Sequence, residues 1–255
     1  MSNADLIHQF REAELPENLR QQLEQVIEFA SALRQVYPPD EVYLVDFAER
    51  SLLRMVLNPD EQDNHWWHTG LYIVRTGIED HCPQLRGELP QLDLLYQALD
   101  QRLGPYNPVA LKEINAKSVS GICLLSELMR YPQTNFVAPN SYSLAEALFC
   151  DTAWYRAIYA GKAPVGFVML DDNAEKREYF IWRFMIAPHF QKSGYGTEAI
   201  RQVIDYVKTR PGATELLLSY IDHEEGPADF YRRLGFVETG EVEEGEVIMR
   251  MDLRS

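Results

Sequence analysis

The segment Gln191-Lys192-Ser193-Gly194-Tyr195-Gly196 decides the fold of the second half of this chain. It follows residues 180–186, a run of aromatic and β-branched residues that is typical of a strand. After it, apolar residues recur on one helical face, at Ala199, Ile200, Val203, Ile204 and Val207. A glycine loop between a strand and a helix N-terminus gathers free backbone N–H groups, which favour phosphate. The pattern therefore predicts an anion site, although an ordinary strand-to-helix turn could also contain two glycines.

A second motif lies further along the chain, in Asp229-Phe230-Tyr231-Arg232-Arg233-Leu234-Gly235-Phe236. It predicts a short helix closed by a glycine and followed by a strand. The order Gln-x-x-Gly-x-Gly and then Phe-Tyr-x-x-Leu-Gly-Phe resembles the GNAT (general N-acetyltransferase) superfamily. Residues 135–147 and 164–169 look like the corresponding segments of bacterial spermine/spermidine (diamine) acetyltransferases. The resemblance covers residues 107–255.

This resemblance implies an α/β (α+β) fold with a mixed, mostly antiparallel sheet flanked by helices. It also implies direct transfer of acetyl from acetyl-CoA to a primary amine. The expected CoA-binding residues are the strand residues Phe184, Met185 and Ile186 and the loop residues Gln191, Lys192, Ser193, Gly194, Tyr195, Gly196 and Thr197. The strand should pair with the pantetheine arm and offer a free N–H near Met185 to the thioester carbonyl. Lys192 departs from the glycine that is frequent there; it adds positive charge but disfavours a positive φ.

The resemblance places the general acid at Tyr231, whose phenol would protonate the leaving thiolate. Packing in the core is the alternative role for this ring. The amine must lose a proton before attack, and Glu178 and Glu146 are the candidate bases. Solvated or substrate-holding carboxylates are the alternative for both. His223 is a further candidate, although a lone loop histidine is more often passive.

For the acceptor, Asn140 and Tyr142 are expected in a loop that covers the pocket and contacts the substrate. The segment 221–228 lacks the asparagine that many relatives use to hold CoA, so Asp222 or Glu224 could orient the acceptor instead. A polyamine is the leading acceptor, with an aminoglycoside, amino acid or protein N-terminus as alternatives. The alternative from another functional class is a non-catalytic sensor of acyl-CoA, in which residues 1–106 form an output or dimer surface. The sequence leaves open whether the chain forms a homodimer.

Composition limits the remaining functions. The chain has 255 residues, 46% of them hydrophobic, and a net charge of −15, which argues against nucleic acid as a partner. No run of apolar residues is long enough for a membrane span, and the N-terminus lacks the pattern of a secretory signal. The cysteines Cys82, Cys123 and Cys150 show no paired spacing. We therefore expect buried free thiols, a cytoplasmic protein and no metal site.

Residues 1–106 contain no lysine and are predicted to form a separate α+β module, with the boundary at residues 103–108. Helical spacing predicts a helix from Pro16 to Leu33 and a closing helix at residues 92–103. Residues 41–47 and 52–57 are interpreted as a hairpin, and residues 71–75 as a further strand. His65-Trp66-Trp67-His68 has too few ligands for a metal site, so we expect its tryptophans to dock against the other domain or a subunit.

Overall fold

The computed structural model describes residues 2–57, 66–103 and 108–254, with only the backbone described for residues 100–103. It divides into two compact units, Met1–Tyr106 and Asn107–Ser255. Residues 104–107, which contain most of the predicted boundary, lie outside the described residues, as does His65. None of the described helices is both long and apolar enough to cross a membrane.

Every regular element in the described part of the first unit is a helix. Its elements are α1 (Asn3–Glu12), α2 (Glu17–Leu33), α3 (Val42–Leu57), α4 (Trp67–His81), a 3-10 helix (Pro83–Glu88) and α5 (Leu89–Leu103). The predicted first and last helices are confirmed as α2 and α5. Helix α1 was not predicted; a reciprocal capping box between Ser2 and Asp5 starts it.

The predicted hairpin and third strand are wrong, so the first unit is not an α+β module. Residues 42–57 fold instead into α3, and its buried face includes Val45, Ala48, Leu52 and Val56 at helical spacing. The intervening Ala-Glu-Arg-Ser contains neither glycine nor proline, and its first three residues are good helix formers, so nothing reverses the chain there. Residues 71–75 lie within α4. The strand prediction failed because a run of five apolar-rich residues is too short to distinguish a strand from a buried helix.

Trp67 and His68 lie on α4 inside the first unit. Trp67 is fully buried and its ring stacks on that of His68 at 3.5 Å between centroids. Trp67 is therefore part of the unit's own core, and the prediction that it docks outside the unit is wrong. Cys82, after α4, is buried, whereas Cys123 and Cys150 in the second unit are partly exposed; all three are free thiols.

The second unit is a sheet flanked by helices. Its strands are β1 (Val109–Lys112), β2 (Ala153–Ala160), β3 (Ala163–Asn173), β4 (Glu178–Ile186), β5 (Glu215–Ile221), β6 (Val237–Glu243) and β7 (Glu246–Asp252). They lie in the order β1-β2-β3-β4-β5-β7-β6, and only the β4–β5 pair is parallel. The mixed, mostly antiparallel sheet predicted from the resemblance is confirmed.

The helices of this unit connect these strands. They are α6 (Val119–Glu127), α7 (Asn140–Ala147), α8 (Tyr195–Lys208) and α9 (Ala228–Leu234), with 3-10 turns at Gln133–Asn135 and Pro188–Phe190. Helix α8 carries the apolar face expected from the sequence, with Ala199, Ile200, Val203 and Val207 buried. Because β4 leads into α8 and β5 into α9, the two motifs lie at the carboxyl ends of neighbouring parallel strands.

Candidate active site

The sheet opens between β4 and β5. These strands pair only at Phe180–Leu217 and Ile181–Leu218, although β4 continues to Ile186 and β5 to Ile221. Opposite β3 the register skips Trp182, so this residue is a bulge at the point where the strands separate. A bulge bends its strand and increases the local twist. A cavity of about 820 Å³ is lined by both separated strand ends.

The backbone of β4 presents alternate amides to this opening. The N–H of Ala187 donates to the carbonyl of Val165 at 2.9 Å, so it faces the neighbouring strand β3. Alternation along an antiparallel pair then directs the N–H of Met185 to β3 as well, and those of Phe184 and Ile186 towards the opening. The Ile186 carbonyl faces the same way, because it accepts a hydrogen bond from Gln191 Nε2 at 2.9 Å. The free amides are therefore those of Phe184 and Ile186, the two neighbours of Met185, which is the region where the free N–H was expected.

The loop after β4 has the conformation of an anion site. Gly194 has φ of +85° and ends the loop where α8 begins, and no side chain caps the helix. The first amides of α8 therefore have no intrahelical acceptor. Lys192 adopts φ of +62°, so lysine takes the left-handed conformation that we expected it to disfavour. Its ammonium has no carboxylate partner among the described residues, which leaves it available to a phosphate.

Most of the predicted CoA residues meet in the cavity. Its lining includes Phe184, Met185, Ile186, Gln191, Lys192, Gly194, Gly196 and Thr197. Ser193 and Tyr195 are not part of the lining: Ser193 is exposed, and the Tyr195 ring contacts that of Phe190. Their predicted role is thus limited to the loop backbone. Gln191 also exchanges hydrogen bonds with Gln133, at 3.1 and 3.2 Å, which ties the loop to the turn before α7.

Tyr231 lies on α9 and borders the same cavity. Its side chain is 6% exposed and packs against the rings of Phe230 and Phe236. Burial raises the pKa of the phenol well above its usual value, so the hydroxyl stays protonated across the physiological range. The described residues offer that hydroxyl no hydrogen-bond partner. A protonated donor at the edge of the cavity is what a general acid requires.

The predicted bases lie elsewhere. Glu178 is exposed at the start of β4, seven residues before Met185, which is roughly 23 Å along an extended strand. Glu146 on α7 forms an ion pair with Arg183 at 3.0 Å, so its carboxylate is already engaged by a cation. Neither glutamate lines the cavity. Their positions do not support the role predicted for them.

The predicted acceptor residues are also displaced from the cavity lining. Asn140 begins α7 rather than lying in a loop; it is fully buried, and its Nδ2 donates to the Ile122 carbonyl at 2.7 Å. Tyr142 is 57% exposed on the same helix, and Asp222 is exposed outside the lining. His223 accepts the N–H of Glu225 at 3.0 Å through Nδ1, so that nitrogen is not free to act as a base.

Other residues, not predicted from the sequence, form the remaining walls. Ser219 on β5 and Glu246 on β7 line the cavity and are hydrogen-bonded to each other, and Glu225 lines it from the loop before α9. An apolar wall comes from the segment between α6 and α7, with Met129, Phe136, Val137 and Pro139. Glu246 could not be found from sequence, because only the sheet order places β7 beside β5. Among the described residues there is no cluster of three or more metal-ligating side chains.

The match to a family model agrees with this geometry. Residues 124–236 match the acetyltransferase (GNAT) family, and the matched range includes β4, the glycine loop and Tyr231. The second unit therefore contains a GNAT acetyltransferase domain. The chain is an N-acyltransferase that uses acetyl-CoA as its co-substrate.

Several solved structures are similar to this unit at low identity. The PaiA N-acetyltransferase of Thermoplasma acidophilum, in complex with coenzyme A, is 12% identical over 57% of this chain and 99% of its own, with a TM-score of 0.45. An acetyltransferase of Thermus thermophilus is 14% identical over 58% and 99%, with a TM-score of 0.48. A chimera of the spermidine N-acetyltransferase SpeG from Vibrio cholerae and hSSAT is 19% identical over 58% and 96%, with a TM-score of 0.44. No curated protein matches the chain.

Proposed function

We propose that this acetyltransferase acetylates a primary amine of a small, linear polycation, with a polyamine such as spermidine or spermine as the acceptor. The acetyl group passes directly from acetyl-CoA to the amine, without an acyl-enzyme. The reaction takes place in the cytoplasm, where three unpaired cysteines stay reduced.

The observation that carries this proposal is the presence, among the described residues, of both unpaired cations and carboxylates in the lining of one cavity. Lys192, on the loop that receives the pyrophosphate, and Arg233 on α9 supply the cations, and both lack a carboxylate partner among the described residues. The carboxylates Glu225 and Glu246 line the cavity from the loop before α9 and from the start of β7. The third lining cation, Arg183, is already paired with Glu146. An anionic co-substrate and a cationic acceptor would therefore each meet opposite charge.

The apolar wall supports a linear amine rather than a densely polar acceptor. Phe136, Val137 and Pro139 offer aromatic and aliphatic surface to a methylene chain, while the carboxylates hold the ammonium groups at its ends. An aminoglycoside would bring hydroxyl groups against this wall, and unpaired hydroxyls there would cost binding free energy. The net charge of −15 adds a long-range attraction for polycations.

The reaction uses the groups already described. The amides of Phe184 and Ile186 face the opening, and one of them donates to the thioester oxygen as negative charge develops on it. The first turn of α8 and Lys192 bind the pyrophosphate. Tyr231 donates its proton to the leaving thiolate. The cofactor roles of Met185, Ser193 and Tyr195 are then confined to packing and loop backbone.

Release of CoA measured against a panel of amines tests the proposal. The panel contains putrescine, cadaverine, spermidine, spermine, an amino acid, an aminoglycoside and a peptide with a free N-terminus. We expect kcat/KM for the best polyamine to exceed that for the amino acid and the peptide at least 100-fold, with a decline as salt rises. A preference for the peptide or the aminoglycoside would overturn the polyamine assignment. CoA binding without turnover of any amine would favour a sensor instead.

A further inference from the structure

We propose that Glu246, held by Ser219, is the proton acceptor for the attacking amine. This inference rests on the proposed function, because it assigns the base in the same cavity. A primary amine with a pKa near 10.4 is neutral in only about one molecule in 2,500 at pH 7. The domain therefore needs a group that takes up this proton close to the thioester, and neither Glu178 nor Glu146 is in a position to do so.

The position of Glu246 follows from the sheet. It lies opposite Ile221 in the β5–β7 register, beside the end of β5 that has separated from β4. Directly opposed residues on neighbouring strands point to the same face, and Ser219 and Ile221 share that face because they are two residues apart. All three residues line the cavity that also contains Phe184 and Tyr231. Glu246 thus reaches the reaction space from a strand that none of the recognised motifs contains.

The Ser219 hydroxyl fixes the carboxylate. It donates to Glu246 Oε2, which leaves Oε1 and a second lone pair of Oε2 free to accept a proton. The described residues place no Arg or Lys on Glu246, in contrast to Glu146 with Arg183. Glu225, the other carboxylate in the lining, lies on an exposed loop rather than on a strand, which suits it for holding a distal ammonium group. Ser219 is accordingly a positioning residue.

The proton balance of the reaction is complete with these groups. Glu246 takes one proton from the ammonium, directly or through a water, and passes it to solvent. The nitrogen lone pair then forms the C–N bond at the thioester carbonyl carbon, and the tetrahedral intermediate breaks its C–S bond. The thiolate receives the Tyr231 proton. The second nitrogen proton leaves through Glu246 and restores Tyr231 through solvent, so that one proton is released in each turnover.

Steady-state kinetics of the full-length Glu246→Gln variant test this assignment. At pH 7 we expect kcat and kcat/KM for spermidine to fall at least 30-fold, with the KM for acetyl-CoA within a factor of two. Above pH 9.5 the deficit should shrink to less than about 5-fold, because solvent then deprotonates the amine. The matched control is Glu241→Gln, which removes the same charge from the neighbouring strand β6, outside the cavity lining; it should keep wild-type kinetics.

Ser219→Ala gives a second variant that keeps the carboxylate. We expect a 3- to 10-fold loss of kcat at pH 7 with the same recovery at high pH. A Glu246→Gln enzyme that keeps more than a third of kcat at pH 7 would overturn the proposal, and so would one that only raises the KM for spermidine. An equal loss at every pH would also overturn it. If wild-type protein acetylates no amine, the proposed function itself fails, which is a separate result.

Discussion

At the scale of single residues, the proposed chemistry depends on one buried acid and on two cations without a carboxylate partner among the described residues. Tyr231 is buried and kept protonated by desolvation, which raises its pKa. Lys192 and Arg233 have no carboxylate partner among the described residues, although the chain is strongly acidic. A buried acid and unpaired cations in one cavity are the features that a site for an anionic thioester requires.

Tyr231→Phe tests the proposed general acid. The ring still fills its place between Phe230 and Phe236, so we expect the Kd for acetyl-CoA to stay within a factor of two while kcat falls about 10²–10⁴-fold. Calorimetry and turnover assays measure the two quantities. Tyr179→Phe is the control, since this buried tyrosine bonds the Pro211 carbonyl near the far end of β4. Weaker acetyl-CoA binding with kcat kept would instead assign the hydroxyl to ground-state binding.

The raised pKa of Tyr231 also predicts a pH dependence. An acid is lost when pH rises through its pKa, and burial moves that point upward from the usual value near 10. The kcat profile of the wild type should therefore show no decline caused by this group below about pH 10. If kcat declines in the wild type with a midpoint near pH 8 to 9, and the Phe variant lacks that decline, the burial argument is wrong.

At the scale of elements, the secondary structure predicted from long sequence patterns is confirmed, whereas that predicted from short patterns is wrong. The run of residues 180–186 and the apolar face of α8 extend over several periods, and both are confirmed. In the first unit, runs of five to seven apolar-rich residues were interpreted as strands, yet they belong to the buried helices α3 and α4. Runs this short do not separate the two periods, and the helical spacing of α3 shows only when its whole length, Val42–Leu57, is considered.

The residues on the acceptor side of the cavity could not be predicted from the sequence. Glu246 reaches the cavity because β7 lies between β5 and β6 in the sheet, and no local sequence pattern predicts the pairing of β7 with β5. Asn140 was expected in a loop, but the structure uses its amide to join α6 to α7. The glycine loop was predictable because its conformation is dictated by residues adjacent in sequence. Contacts between segments that are distant in sequence were not predictable in this way.

The link between the glycine loop and the turn before α7 gives an element-scale prediction. Gln133→Ala removes both hydrogen bonds to Gln191, each worth about 0.5–1.5 kcal/mol. We expect the KM values for acetyl-CoA and for the amine to rise together, roughly 5- to 140-fold, because one contact orders both the glycine loop and the apolar wall of the cavity. Gln202→Ala, which removes a hydrogen bond to the Val109 carbonyl at 2.8 Å, is the control and should leave both values unchanged. A rise in KM for only one of the two substrates would show that the glycine loop and the apolar wall are ordered independently.

At the scale of the whole molecule, we propose that residues 1–106 and 107–255 are separate domains. The two compact units divide at Tyr106 and Asn107, and all recognised motifs fall in the second. Residues 107–255 alone should therefore stay soluble, unfold cooperatively and bind acetyl-CoA with a Kd within about threefold of the full chain. Circular dichroism and calorimetry measure this. A fragment that folds only when residues 1–106 are supplied would contradict the proposal.

The central claim is that one cavity, between the separated ends of β4 and β5, holds the acetyl thioester and a polyamine together. The most direct test is the affinity of a conjugate in which the CoA sulfur is joined through an acetyl linker to a terminal nitrogen of spermidine. Such a molecule spans both sites and resembles the transition state, so we expect it to bind at least 100-fold more tightly than CoA. A conjugate that binds no more tightly than CoA itself would contradict the account.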